Sequence, residues 1–527
     1  MATYPMAPVD AAWYHMDGPA NHAMITGVLT TRRPLSFEKV TGVFRRRLAR
    51  FERYRQRVVE KGFPLASPCW EDVADFDVGQ HLHHIALPAP HDRAALVDLV
   101  SDLASTPLDR ARPLWEGHLV DDVEGGSALV LRMHHCLGDG TAAMLVCREL
   151  FDETADAPPD DDEPPADEGT ARSGVEAAAR PADDGDGAAA PAGSIMAIGT
   201  LARRAVALAA ATWDTVTHPE PLLAKARLAF DGAATLGAEL LKRPDPPSPL
   251  KGPFRPEKRV AWSAPVPLAD VKAIGAPLGA KVNDVLVAAM SGALRNYLRS
   301  RGVRLDRANV RAMVPVDLRP RSRAEELGNA FGLVILELPL SSDRSRERLR
   351  LTKKRMDALK HSPEAGAILT LFDVFGRLPK AVGDAAVDLF GSRASLVMTN
   401  VAGPKQPLYL AGAAIDRLLF CVPHPGRQLG MGISIMSYDG RATLTVVADA
   451  HLVPDPESIT EAFGREFARM ARNARRRLEQ ETPTKRPGSK PRAPAAAAKG
   501  RGKAPAPRVA AKGPAKRSRQ APRATAK

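Results

Sequence analysis

Cysteine is scarce: the 527-residue chain has four, Cys69, Cys136, Cys147 and Cys421. No two form a C-x-x-C pair, so neither a disulfide framework nor a thiolate-bound metal is expected, and the usage fits a reducing cytoplasm. Long apolar runs are missing as well. The nearest candidate, 195–213, is interrupted by Arg203 and Arg204, so no membrane-spanning helix is expected. The opening MATYPMAPVDAAWYHMD lacks a basic start followed by an apolar core and does not read as a secretory signal. A solenoid-length internal repeat is also missing.

The longest stretch without acidic residues is at the C-terminal end. Residues 482–527 hold 14 Lys/Arg and no Asp or Glu, while the whole chain carries a formal charge of +13. The rest of the protein is therefore nearly neutral, and the basic character belongs to a Lys/Arg/Pro/Ala tail that cannot build a core. Such a tail is expected to be disordered alone; three readings stay open for it, anionic lipid headgroups, nucleic acid or no specific partner.

What is present is a globular composition, 44% apolar and 26% charged, in a chain long enough for two domains. An acidic, Pro/Ala/Gly-rich stretch at 153–194 reads as a flexible crossover. It separates an N-terminal lobe (1–152) from a C-terminal lobe (195–481). The Ala-rich, partly amphipathic 195–242 reads either as scaffold helix or as an interfacial membrane attachment.

Strands and helices mix in both halves. Ser127–Met133 reads as a strand and Thr141–Asp152 as a helix, with Leu145, Leu150 and Phe151 near one face. Asn283–Leu298 is an apolar helix with Asn283 or Asp284 as its N-cap. Val310–Val316, Gly332–Leu340 and Ser395–Val401 read as buried strands. Gly430–Tyr438 and Arg441–Ala448 flank a YDG turn, a hairpin signal. The expected fold class is α/β (α+β), in two lobes.

The chemistry gathers at LRMHHCLGDG, residues 131–140. Adjacent strand residues point to opposite faces, so His134 and His135 should not converge on one metal ion. No metal site is expected. One histidine should face a reacting centre and the other the protein interior. Asp139, between Gly138 and Gly140, can fold back to brace the loop on backbone N–H groups or a distant arginine. A neutral imidazole held in one tautomer suits proton abstraction near pH 7. Cys136, next to His135, is a weaker candidate, as a nucleophile.

HHxxxDG after an apolar strand and opening a helix resembles the wax ester synthase/diacylglycerol acyltransferase family, part of the chloramphenicol acetyltransferase-like superfamily. Further motifs carry the resemblance in order: Pro113-Leu114-Trp115, Val282-Asn283-Asp284, and Val314-Pro315-Val316-Asp317-Leu318-Arg319. Gly328-Asn329 with Phe331-Gly332, Thr399-Asn400-Val401-Ala402-Gly403-Pro404 and Ser437-Tyr438-Asp439-Gly440 follow. Ala402 stands where the family's usual motif has proline.

The resemblance implies two chloramphenicol acetyltransferase-like lobes with mixed sheets and a substrate tunnel between them. It implies acyl transfer from acyl-CoA, as co-substrate and with no resident cofactor, to a fatty alcohol or diacylglycerol. His135 would be the general base and His134 its packed support. Asp139 would be mainly structural, with Arg319 as its candidate partner and Gly140 completing the turn. Asn283 would align the site or polarise the carbonyl, with Asp284 beside it. Pro113, Leu114 and Trp115 would either form a packing corner or line the substrate path. A cytoplasmic protein peripheral to the inner membrane or to lipid inclusions is expected. Two rival readings remain: a free-standing condensation domain acting on carrier-bound substrates, and a non-catalytic lipid-droplet or DNA-associated protein.

Overall fold

The run SALVLRM becomes the centre of a sheet. In the computed structural model, which describes residues 2–60, 67–156, 245, 248–305, 310–323, 325–359, 388, 391–424 and 428–481, it extends to Gly126–His134. The interior of the acidic crossover from 157 onward, the 195–242 segment and the basic tail lie outside the described residues. The chain divides into two units, Met1–Arg477 and Leu478–Lys527; the sheets, cores and cavities described below belong to the first.

Three sheets form among the described residues. The first has six strands in the order β13 (Tyr409–Leu410), β14 (Ala413–Cys421), β2 (Met24–Thr31), β7 (Gly126–His134), β6 (Trp115–Val123) and β5 (Leu82–Ala86). The second runs β11 (Phe331–Glu337), β10 (Arg311–Asp317), β12 (Leu396–Ala402), β15 (Met431–Tyr438), β16 (Arg441–Asp449) and β8 (Lys258–Trp262), with β9 (Val266–Pro267) also on β16. A small sheet joins β1 (Thr3–Pro5), β4 (Cys69–Asp72) and β3 (Gln56–Val59). Both large sheets are mixed: β5 runs parallel to β6, and β12 parallel to β10 and β15.

One strand pair departs from the expected division at the crossover. β13 and β14 lie in the C-terminal half of the sequence, yet β14 pairs antiparallel with β2 in the N-terminal sheet. Apolar alternation marks a strand but not its partner, so sequence position assigned it to the wrong lobe.

β7 is buried on both faces, which is why it reads as a continuous apolar run. Leu129 joins α1 (Pro8–Met16), α2 (Phe37–Arg47) and α4 (Gly140–Leu150) in one core. Ala128 and Val130, one register away, pack with α3 (Arg93–Ser105) and with Val260 and Trp262 of β8. The β15–β16 turn places Asp439 and Gly440 at φ 44° and 69°, the left-handed pair that a two-residue hairpin needs.

The C-terminal core is organised by α6 (Val282–Ser300), which follows α5 (Leu268–Gly275); α7 (Ser345–Leu359) and α8 (Pro456–Glu481) follow in turn. The expected N-cap is corrected here. Lys281 is the cap, and Asp284, one turn in, accepts the Lys281 backbone N–H at 2.8 Å. Asn283 is left free for other work. Val285, Leu286, Val287, Leu294 and Leu298 are fully buried, each contributing about 1.5–3 kcal/mol. A cap contributes about 1 kcal/mol, so packing decides that this helix exists. Among the described residues no single helix is long and apolar enough to cross a membrane.

Candidate active site

The strand β7 ends at His134, and the chain turns immediately into a single 3-10 turn, His135–Leu137. The two histidines therefore part at a corner as well as by strand alternation. The His134 backbone N–H donates to Leu114 O (2.9 Å) and that of His135 to Ala23 O (2.8 Å), which fixes the corner. His134 points inward: its Nδ1 accepts the Cys136 N–H at 3.1 Å, and burial lowers its pKa to about 4. Cys136 is fully buried, and burial raises its thiol pKa well above the ordinary value.

His135 faces a cavity of about 380 Å³ lined mainly by apolar side chains, among them Trp13, Ile25, Met133, Met144, Phe331 and Met436. Both halves of the chain contribute to this wall. The imidazole stacks on Trp13, with ring centres 3.8 Å apart and planes 9° apart, and Phe331 leans against it at 5.7 Å. Burial shifts its pKa downward, so the ring is neutral near pH 7.

Which nitrogen carries the proton follows from Asn329. Its side-chain Nδ2 donates to Asp10 Oδ1 and to the His135 backbone O, both at 2.8 Å. The amide oxygen is thereby turned toward His135 Nδ1, at 3.0 Å. An oxygen can only accept, so Nδ1 carries the hydrogen and Nε2 keeps its lone pair. Asp10, itself buried, also accepts the Asn329 backbone N–H at 3.1 Å and pairs with Arg53 at 2.6 Å.

Asp139 ties two loops together. Its Oδ1 accepts the Thr141 and Ala142 N–H groups (3.0 Å each), which caps α4. Its Oδ2 accepts the Ala330 N–H at 2.9 Å and Arg319 Nη2 at 3.0 Å. Arg319 Nη2 also donates to Gly328 O (2.8 Å). The carboxylate is thus consumed by the scaffold that holds Asn329 beside His135. Gly328 sits at φ 101°, open to glycine and costly for other residues. Gly140 is the first residue of α4, where an added Cβ would stand 3.3 Å from Val401.

For two motifs the structure narrows the alternatives, to holding the wall residue Asn400 for Asn283 and to a packing corner for Pro113, Leu114 and Trp115. Asn283 does not line the cavity; it accepts a hydrogen bond from Asn400 Nδ2, and Asn400 is the residue on the wall. Pro113, Leu114 and Trp115 are also away from that wall. Leu114 and Trp115 are buried in the core, Trp115 Nε1 donates to Tyr54 O at 2.8 Å, and its ring stacks on His81. The motif is a packing corner because a fully buried indole must find an acceptor and apolar neighbours.

Sequence reasoning gave no role to Asp10, Trp13, Asn329 or Asn400. Asn329 and Asn400 stand inside family-like blocks, which is the signal that could have found them. Asp10 and Trp13 carry no local signal.

Away from the cavity, His83, Glu116 and His118 bring ligand atoms within 4.8 Å of one another, although no metal site was expected. Buried Arg132 already engages Glu116 at 2.9 Å, and its charge opposes a cation there.

Residues 6–286 match the wax ester synthase/diacylglycerol acyltransferase catalytic domain, and 327–471 match the C-terminal domain of the same family. The Mycobacterium tuberculosis protein tgs1, named as a diacylglycerol O-acyltransferase, is 29% identical over 436 residues, covering 82% of this chain and 87% of its own. A Mycobacterium bovis protein named in the same way is 31% identical over 69% of this chain and 75% of its own. Among solved structures, the wax ester synthase/diacylglycerol acyltransferase from Marinobacter aquaeolei VT8 superposes with a TM-score of 0.61 at 21% identity, covering 89% of this chain and 99% of that one. The first condensation domain of the calcium-dependent antibiotic synthetase shares the fold, with a TM-score of 0.56 at 18% identity over 90% of this chain and 96% of that one. With its catalytic-domain match spanning both the HHxxxDG corner and the first turn of α6, the chain belongs to the wax ester synthase/diacylglycerol acyltransferase family.

Proposed function

We propose that this acyltransferase moves a long-chain acyl group from acyl-CoA to the hydroxyl of a fatty alcohol or diacylglycerol, with His135 as general base. The observation that carries the reading is a neutral imidazole whose Nδ1 is held by Asn329 and whose Nε2 is left free at an apolar cavity. In this reading Nε2 takes the hydroxyl proton as the oxygen attacks the thioester carbonyl. The tetrahedral centre then collapses, the C–S bond breaks, and the imidazolium returns its proton to the departing thiolate. No acyl-enzyme and no resident cofactor enter this scheme.

The surroundings support that cycle. The Trp13 face stacked on the ring stabilises a transient imidazolium by cation–π attraction. Asn400 spends one amide hydrogen on Asn283 and keeps another for a substrate oxygen, the kind of donor that stabilises a developing oxyanion. Acceptors of this class reside in bilayers or lipid inclusions, so the protein would work in the cytoplasm at such a surface. The 14 basic residues of 482–527 supply attraction to anionic headgroups, up to about 1 kcal/mol each; binding of nucleic acid by the same segment is the competing use.

The test is an acceptor panel of hexadecanol, diacylglycerol, monoacylglycerol and short alcohols with palmitoyl-CoA, products separated by thin-layer chromatography. Release of CoA should require a lipid hydroxyl, and His135→Ala should abolish it with the fold retained. Full turnover by His135→Ala would overturn the base assignment, and turnover only with carrier-bound acyl groups would favour the condensation-type reading.

A further inference from the structure

Next to the apolar cavity lies a second one of about 470 Å³ with a different chemistry. Four arginines line it, Arg32, Arg33, Arg417 and Arg441, against two carboxylates, Asp416 and Asp439. Asp416 is shared between Arg32 (2.6 Å) and Arg417 (3.5 Å). Arg33 and Arg441 are exposed and have no acidic partner among the described residues. Like charges gathered at one concavity repel unless an anion joins them, and guanidinium groups match phosphate oxygens in pairs.

The two cavities share a wall, since Leu418 of β14 lines both. Their separation can be read along β2. His134 pairs with Met24 and Arg417 with Thr30, six strand residues apart, or about 20 Å at ~3.4 Å per residue. An extended phosphopantetheine arm is of that order of length. The acceptor lipids carry no phosphate at their reacting end, whereas an acyl-CoA carries three phosphates at the end remote from its thioester.

We propose that the arginine-lined cavity receives the phosphate-bearing nucleotide end of the acyl-CoA donor, with the pantetheine arm lying along β14 past Leu418 toward His135. This rests on the acyl-CoA reading above and adds the donor's direction of entry. Arg33 and Arg441 hold the phosphates; Arg32 and Arg417 add to the field while tethered to Asp416.

The test compares palmitoyl-CoA with palmitoyl-N-acetylcysteamine, a donor with the same thioester and no nucleotide, in the full chain and in the double variant Arg33→Glu/Arg441→Glu. The ratio of kcat/KM for the two donors should fall about tenfold or more in the variant, the scale expected for losing charge-assisted hydrogen bonds. In the wild-type protein adenosine 3′,5′-bisphosphate should compete with palmitoyl-CoA, and this competition should weaken in the variant. An unchanged ratio overturns the proposal. So does competition from phosphatidic acid vesicles or inorganic phosphate that adenosine 3′,5′-bisphosphate does not match, which would make the cavity a headgroup or simple phosphate site. Wild-type protein unable to use palmitoyl-CoA at all would instead overturn the donor reading itself, a result distinct from a working enzyme indifferent to the arginines.

Discussion

Asn329 and Asp10 lie 319 residues apart in sequence, and the side-chain amide of one donates to the carboxylate of the other at 2.8 Å. This contact settles which end of the Asn329 amide faces His135, and through it which imidazole nitrogen is free. Replacing Asn329 by Ala should lower kcat by roughly 10–100-fold, less than the roughly 10²–10⁴-fold that the proton transfer itself contributes. The Asn329 hydrogen bond also raises the His135 pKa against the larger effect of burial. The acid limb of the kcat/KM profile should therefore move to lower pH in the variant. A loss of activity with an unmoved acid limb would mean that Asn329 only holds the loop.

For His135→Gln, which keeps the size and polarity of the ring but cannot take a proton, kcat should fall by about 10²–10⁴-fold. Thermal unfolding followed by circular dichroism should show little change. In the wild-type protein, if His135 is the general base as proposed, activity should rise with pH through the lowered His135 pKa and stay high at neutrality, because a base acts in its neutral form.

Asp139→Ala should act on the fold before it acts on the chemistry. It strips acceptors from the Thr141, Ala142 and Ala330 N–H groups and leaves the Arg319 guanidinium buried without its carboxylate. Breaking a buried pair in this way costs about 3–5 kcal/mol. Urea denaturation should register the loss. Asp139→Asn, which keeps acceptor capacity, should lose less.

His134 gives a pH signature in stability. Its folded pKa of about 4 lies below the unfolded value of 6.5, so the unfolded chain binds this proton more readily. Its contribution is complete above pH 6.5 and is lost as pH falls from there to about 4. Melting temperatures between pH 7.5 and pH 4.5 should decline, and His134→Asn should flatten part of that slope. His118, also lowered to about 4, adds to the same window.

Gly27 offers a handle on chain length. It lines the apolar cavity, and an added Cβ would meet only Leu131 O, at 3.8 Å. Gly27→Ala should be tolerated, whereas Gly27→Phe should fill the cavity and shift preference toward shorter acyl chains in a mixed acyl-CoA competition.

Much of this architecture could be read in advance because it is local. Ser127–Met133 and Gly126–His134 differ by one residue at each end, since an apolar run bounded by turn residues leaves little choice. The helix expected at Thr141–Asp152 forms as Gly140–Leu150, but its buried stripe is Ala142, Val146 and Leu150, not one through Leu145. The reason is that a helix face is chosen by what it meets. The surroundings of His135 were harder to foresee. Asp10, Trp13, Asn329 and Phe331 arrive from two ends of the chain, and no spacing rule connects them. Trp115 illustrates the opposite difficulty: a recognisable motif whose buried ring serves packing.

The seating of β14 between β13 and β2 has a consequence for how the protein comes into being. During synthesis, β2 waits with one edge unpaired until nearly four hundred further residues have been made, because its partner lies at Ala413–Cys421. An open edge of that kind invites pairing with other chains. The N-terminal half cannot finish its own sheet, and so the two halves are obliged to mature as one cooperative body.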